Sequence, residues 1–184
     1  MENRITIRTA AFWGISALVI GGMVFGMVKI ASRNSPENKQ PLSLTSAVIA
    51  SDWIKGNKES KVIITEYSDF QCPACASYYE LVKMINKEFG DKIAFVYRHF
   101  PLKNIHANAE IAALSAEAAG RQNKFWEMHD MIFENQKNWE GEKNAKEIFI
   151  GYAKELGLNS EQFKKDLDSK ELKDKVEADY QSGV

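Results

Sequence analysis

The sequence predicts an α/β fold: a strand–helix–strand unit followed by a wholly helical segment. Three observations predict it. Val62-Ile63-Ile64 is a β-branched run, the residues from Cys75 to Phe89 carry apolar side chains at helical spacing, and Ile93-Ala94-Phe95-Val96-Tyr97 is a second strand-like run before helical periodicity takes over. The 184 residues suit one domain of ordinary size with an appendage. Hydrophobic residues at 45% and charged residues at 27% suit a globular chain. A formal net charge of -1 gives no electrostatic footprint for a nucleic-acid partner.

The appendage comes first. Thr9 to Val28 contains no charged residue, and Arg4, Arg8, Lys29 and Arg33 flank it. Twenty helical residues rise about 30 Å, the thickness of a bilayer core. Residues 9–30 are therefore expected to form a transmembrane helix in the lipid bilayer, with 1–8 in the cytoplasm. A cleaved signal is the other reading, because Ala31-Ser32 follows the apolar run. Residues 31–50, polar and with Pro36 and Pro41, read as a linker in which Ala47-Val48-Ile49 is a candidate short strand. Asp52 to Asn57 reads as a turn-rich entry, and Trp53 as a core or lid residue.

The first strand leads into the chemistry. Cys72-Pro73-Ala74-Cys75 holds both cysteines of the chain, at the point where a strand gives way to a helix. Two cysteines three apart cannot staple distant loops, and this context is the one a dithiol/disulfide centre needs. Pro73 is tolerated in a first helical turn, where its missing N–H would be unpaired anyway. Cys72 then lies at the helix start, where free N–H groups and the positive end of the dipole favour a thiolate. Cys75, one turn on, faces the sheet. The spacing thus divides the work: Cys72 attacks or is attacked, and Cys75 resolves the mixed disulfide. No cofactor is required, since the thiols carry the electrons. Ordinary buried thiols and a metal site are the alternatives. A metal site needs three or four ligands, and His99, His106 and His129 are not in ligand spacing with the cysteines.

Glu66 lies six positions before Cys72, inside an apolar strand. Facing inward, its carboxyl would be desolvated and could relay a proton for Cys75. Facing outward, it would be an ordinary strand carboxylate, and alternation alone leaves both readings open. Asp69 reads as a turn or helix-start cap. His99, His106 and His129 read as packing or hydrogen-bonding residues.

The helix from Cys75 places Tyr79, Val82, Ile85 or Asn86, and Phe89 on one face, and Gly90 ends it. After the second strand, four helical stripes follow. Ala107, Ile111, Leu114 and Ala118 form the first, up to Gly120, and Phe125, Met128, Ile132 and Phe133 the second. Ile148, Tyr152 and Leu156 form the third, up to Gly157, and Leu172, Val176 and Tyr180 the last. Between the third and the last, Asn159 to Gln162 can cap a short helix carrying Phe163 and Leu167.

Trp53-Ile54-Lys55-Gly56-Asn57, Glu66 to Cys75, Tyr97-Arg98-His99-Phe100-Pro101-Leu102, His106-Ala107-Asn108-Ala109 and Phe125 to Asp130 together resemble the DsbA-like family, most closely its membrane-anchored bacterial members. The resemblance runs from about Trp53 to the C-terminus. It implies a thioredoxin-like fold over 51–184 with a helical insertion at about 104–182, and it matches Glu66 to the family's buried acid. It also implies a thiol–disulfide oxidoreductase in the bacterial cell membrane with its redox domain outside the cytosol, acting on exported proteins. A membrane redox partner would reoxidise the dithiol. Net oxidation is favoured; reduction, isomerisation, or an interaction module with a vestigial dithiol are the alternatives. One departure stands out. The family's helical insertion is followed by a Thr-Pro loop and further strands, and none of Pro36, Pro41, Pro73 and Pro101 can supply that loop. The expectation is a domain lacking its C-terminal strands, weakly active and prone to aggregate.

Overall fold

The computed structural model describes Gly22, Met23, Phe25, Gly26, Lys29 and residues 47–184. The chain divides into two units, Met1–Leu44 and Thr45–Val184. In the first, the five described residues are helical. Among the described residues no helix is long and apolar enough to cross a membrane, and the expected 9–30 span falls largely outside them.

The second unit has the α/β order expected. Its strands are β1 (Trp53–Gly56), β2 (Ile63–Ser68) and β3 (Ala94–His99). Its helices are α1 (Pro73–Phe89), α2 (Ala109–Gly120), α3 (Phe125–Glu134), α4 (Gln136–Trp139), α5 (Ala145–Glu155), α6 (Ser160–Leu167) and α7 (Lys170–Ser182). The sheet order is β1-β3-β2. β2 and β3 pair in parallel, with α1 as their connection, and β1 pairs with β3 antiparallel. No strand follows β3 among the described residues, and α2 to α7 form the helical segment.

Several elements depart from the sequence expectation. The strand before the dithiol unit is Trp53–Gly56, whereas Ala47–Ile49 is irregular. The reason is Asp52: its carboxylate accepts Ile49 N–H at 2.8 Å and its own N–H donates to Ile49 O at 3.0 Å, folding that segment into a turn. The chain then runs straight along β3 until Gly56, whose φ of +85° suits glycine. β3 extends two residues further than expected, to His99, and is buried throughout. Gly90 does follow α1, but at φ −60° it is right-handed, so α1 has no left-handed cap. Gly157 after α5 is left-handed, at φ +71°. Asn159 Oδ1 accepts Gln162 N–H at 3.0 Å, so α6 has the expected N-cap.

The stripes hold with local shifts. Phe125, Met128, Ile132 and Phe133 are buried, as are Leu172 and Val176. Ala107 lies before α2 and is exposed. On α5 the fully buried residues are Phe149 and Ala153, and Ile148 and Leu156 sit at the rim of that face. Trp53 is a core residue: its ring stacks on Phe125 at 4.3 Å, its Nε1–H donates to Glu117 at 2.8 Å, and the bare Cα of Gly120 leaves room for it.

The largest departure is at β2. Val62, Ile63 and Ile64 are 58%, 40% and 38% exposed, where the sequence predicts a strand covered on both faces. Among the described residues β2 pairs with β3 alone, so its outer edge presents free N–H and C=O groups beside bare isoleucines. Such an edge templates strand addition. Ile64→Lys is accordingly expected to raise the concentration at which residues 45–184 stay monomeric by light scattering. An unchanged aggregation threshold would show that this edge is not the sticky surface.

Candidate functional site

The dithiol stands where β2 hands over to α1. Cys72 is the N-cap of α1, at φ −73° and ψ 122°, with Pro73 as the first helical residue. Its side chain makes no capping bond, so the free N–H groups of the first turn lie at the end of the helix that bears the thiol. Cys72 is partly exposed, and Pro73 and Ala74 are exposed beside it. Cys75 is also partly buried and packs against the hydrophobic core. Both are free thiols. Burial pushes the Cys75 thiol up; the neighbouring Cys72 adds to this, and the Asp69 backbone N–H and Ser68 offset part of it. Cys72 is thus the N-cap thiol with exposed residues beside it, and Cys75 the thiol whose thiolate burial disfavours.

Glu66 faces the same region. In the parallel ladder its Cα partner is Tyr97, and Ser68, two residues on, shares its face of β2. Burial raises the Glu66 carboxyl above the usual carboxylate range, with Ser68 opposing in part. The inward reading of Glu66 therefore has its electrostatic counterpart. A sign follows for stability. A carboxyl whose pKa is higher in the folded than in the unfolded protein contributes stability below its unfolded value, near 4.5, and loses it as pH rises through the folded value. Glu66→Gln removes that loss. The variant is expected to gain stability over the parent between pH 4 and pH 7, and urea unfolding at both pH values checks this. An equal difference at the two would mean that Glu66 ionises as it does in the unfolded chain.

The loop carrying Cys72 is held from three sides, by Asp69 and by two glutamines that the sequence did not mark, Gln71 and Gln136. Asp69, 3% exposed, accepts Gln71 N–H at 2.7 Å through Oδ1 and Leu102 N–H at 2.8 Å through Oδ2. His106 Nδ1 lies 2.7 Å from the same Oδ2, so Asp69 exceeds the turn cap expected of it and joins β2 to the segment after β3. Gln136 of α4 donates to Phe70 O at 2.7 Å and to Cys72 O at 3.1 Å. Gln71 accepts Asn108 N–H at 2.6 Å and donates to Glu140 O at 2.7 Å. The helical segment thereby fixes the backbone on which Cys72 sits. The only sequence signal for Gln136 was a polar residue between the buried Phe133 and Trp139.

The remaining histidines are packing residues, as expected. His99 is fully buried with Nε2 3.0 Å from Glu117 Oε1, and His129 is caged by aromatic rings with Nδ1 2.8 Å from Asp130. His99, Glu117 and Asp179 converge closely enough to suggest ligands, but Lys175 Nζ sits 2.6 Å from both Asp179 oxygens and 3.9 Å from Glu117, and supplies the positive charge there.

Comparison with known proteins agrees with this architecture. Residues 49–183 match the family model described as Thioredoxin. Among solved structures, alpha-DsbA1 from Wolbachia pipientis superposes with a TM-score of 0.62 at 19% identity, over 73% of this chain and 68% of that one. BdbD from Bacillus subtilis, in its oxidised form, does so with a TM-score of 0.61 at 24% identity, over 71% and 72%. A thioredoxin-like oxidoreductase from Silicibacter pomeroyi gives 0.60 at 24% identity, over 73% and 72%. Among curated proteins, the Na(+)/H(+) antiporter NhaA of Herminiimonas arsenicoxydans is 35% identical over 173 residues, which are 92% of this chain and 26% of that protein. NhaA 1 of Salinispora arenicola is 39% identical over 116 residues, 63% of this chain and 17% of that protein. The chain thus spans about a quarter or less of the curated relatives it matches, and their name describes those whole proteins.

Proposed function

Because the chain belongs to the thioredoxin family, we propose that it is a DsbA-like thiol–disulfide oxidoreductase acting on exported proteins. The observation that carries this reading is Cys72 as a partly exposed N-cap thiol with Cys75 one turn behind it, packed against the core.

The favoured direction is net oxidation. A substrate thiolate attacks Cys72 Sγ, the Cys72–Cys75 bond breaks, and Cys75 leaves as a thiolate that takes up a proton. A second substrate thiolate then attacks the substrate sulfur of the mixed disulfide. The substrate disulfide closes and Cys72 is released as a thiolate, stabilised by the helix end. The substrate has lost two electrons and the cysteine pair has gained them. A membrane redox partner removes them again. Residues 9–30 anchor the chain to the bacterial membrane with the redox domain outside the reducing cytosol, where a disulfide product persists.

Reduction or isomerisation is the second reading. It is favoured by Ala74, which offers the Cys72 thiolate no side-chain donor or charge and so points to a less oxidising pair. Equilibrating the protein against glutathione redox buffers decides between the two readings. Potentials of such pairs run from about −120 mV for strong oxidants to about −270 mV for reductants. Net oxidation requires a value towards the former, together with stoichiometric oxidation of a reduced two-cysteine peptide. A value at or below the latter, with no peptide oxidised, rejects it.

A further inference from the structure

Two buried hydroxyls share the sheet face of Glu66, and the exchange chemistry described so far uses neither. Ser68 is 2% exposed and Tyr97 is fully buried. Ser68 Oγ and Tyr97 OH are both shut off from solvent, and neither has a hydrogen-bond partner at normal geometry. A buried hydroxyl without a partner is destabilising, and two of them on one sheet face call for a reason.

The sheet register sets their place. Glu66 and Ser68 are two apart on β2, and Tyr97 is the ladder partner of Glu66, so all three side chains leave the same face. Cys75 of α1 packs against the core cluster that contains Phe70 and Tyr97, and Ser68 acts on its thiol and on the Tyr97 phenol alike. The Tyr97 ring is fixed by Phe70 at 5.5 Å and by His129 at 4.7 Å, which holds its hydroxyl on this polar spot. The other titratable groups around the cluster are Cys72 on α1, Asp69 in the loop, His99 on β3 and His129 on α3. Asp69 is engaged elsewhere, with Gln71, Leu102 and His106; His99 meets Glu117 through Nε2, while its Nδ1 and the Nε2 of His129 are, like the two hydroxyls, buried without a partner. Burial, with the charges of Glu66, Cys75 and Asp69 adding to it, holds the Tyr97 phenol protonated, so it remains a donor.

We propose that Ser68 and Tyr97 form the proton path between Cys75 and Glu66. The inference rests on the oxidoreductase reading and deepens it. When the reduced protein meets a disulfide, the Cys72 thiolate attacks one sulfur, the substrate S–S bond breaks, and one substrate thiolate departs. The Cys75 proton then passes along the two hydroxyls to the Glu66 carboxylate, each hydroxyl accepting one proton as it gives up its own. The Cys75 thiolate attacks Cys72 Sγ, closes the Cys72–Cys75 bond and expels the second substrate thiolate, which takes a proton from water. The cysteine pair has lost two electrons and the substrate disulfide has gained them. In the oxidising direction the same path returns a proton to Cys75 as it leaves.

The test uses the full chain, reduced, with glutathione disulfide as the probe. Acid quench and alkylation at timed intervals separate formation of the Cys72 mixed disulfide from its resolution by Cys75. Tyr97→Phe keeps the ring packing, and Ser68→Ala provides an independent variant. Each is expected to leave formation unchanged and to slow resolution roughly 10-fold or more. The parent resolution rate should also show an inflection at the raised Glu66 value, which both variants lose. Thr65→Val is the control, because Thr65 Oγ1 is likewise buried and unpartnered but leaves the opposite face of β2; its resolution rate and pH profile should match the parent's. If Tyr97→Phe and Ser68→Ala resolve within about twofold of the parent with the inflection intact, the path is rejected while the exchange reading stands. A parent protein that forms no mixed disulfide at all overturns the exchange reading, and this inference with it.

Discussion

Cys72→Ser is expected to abolish disulfide exchange, and Cys75→Ser to stop it half-way. The two thiols occupy different surroundings although they are one helical turn apart. Cys72 is the N-cap, with exposed Pro73 and Ala74 beside it, so an incoming sulfur meets it first. Serine there keeps the cap position but is no nucleophile towards a disulfide, and turnover should fall to the uncatalysed rate. Cys75 packs against the core, and burial disfavours its thiolate, so it enters only when the mixed disulfide is already attached to Cys72. Without it the covalent intermediate has no internal route onward. One equivalent of substrate should remain bound to Cys75→Ser through Cys72, seen as a mass increase that dithiothreitol removes. An interaction module with a vestigial dithiol predicts the opposite pattern: partner capture would be equal in both variants and insensitive to reductant.

Asp52→Ala is expected to destabilise the fold by about 3–5 kcal/mol, the cost of leaving a buried charge without its partner. The Arg98 and Asp52 side chains are 2% and 0% exposed and meet in a two-pronged pair, Nε to Oδ1 at 2.9 Å and Nη2 to Oδ2 at 2.8 Å. The guanidinium also donates to Ala47 O at 2.7 Å and to Tyr67 OH at 2.8 Å, and Tyr67 in turn donates to Ser182 O at 3.1 Å. One cation thus ties β3 to the segment before β1, to β2 and to the end of α7. Alanine at 52 removes two charge-assisted bonds and the Ile49 turn contact, and the guanidinium keeps only neutral acceptors. Asp52→Ala/Arg98→Met should recover part of the loss, because it removes the orphaned charge itself. Urea unfolding of the parent and both variants checks this. A single-variant loss below about 1 kcal/mol would place the pair among ordinary surface bridges.

These results divide along physical lines. The local features were legible because their causes lie within a few residues. Pro73 after Cys72 marks a helix start, Asn159 three residues before Gln162 marks a cap, and Phe125, Met128 and Ile132 repeat at the period of one helix face. The dithiol belongs to this class: its chemistry depends on a strand–turn–helix junction that the sequence displays directly. Glu66 is intermediate. Its distance from Cys72 marked it, but alternation could not say which face it takes, and the choice came from the pairing of Glu66 with Tyr97.

What the sequence could not display were contacts closing over long separations. Gln136 reaches Phe70 O across 66 residues, and Arg98 reaches Asp52 across 46; neither position is marked by its neighbours. The same holds for β1, which is a strand because β3 lies beside it and not because of an apolar alternation of its own. Val62-Ile63-Ile64 shows the reverse error: β-branched composition favours a strand but does not say whether another strand covers its edge. By itself the sequence determined that a helix starts at Pro73 and another is capped by Asn159, which faces of the longer helices are apolar, and that two thiols stand one turn apart, since these follow from backbone geometry over one or two turns. Only the tertiary structure decided that β2 is an edge among the described residues, that the helical segment clamps the Cys72 loop, and that Ser68, Tyr97 and Glu66 share one face of the sheet, because register and burial are set by the partner strand and helix and not by the residues alongside.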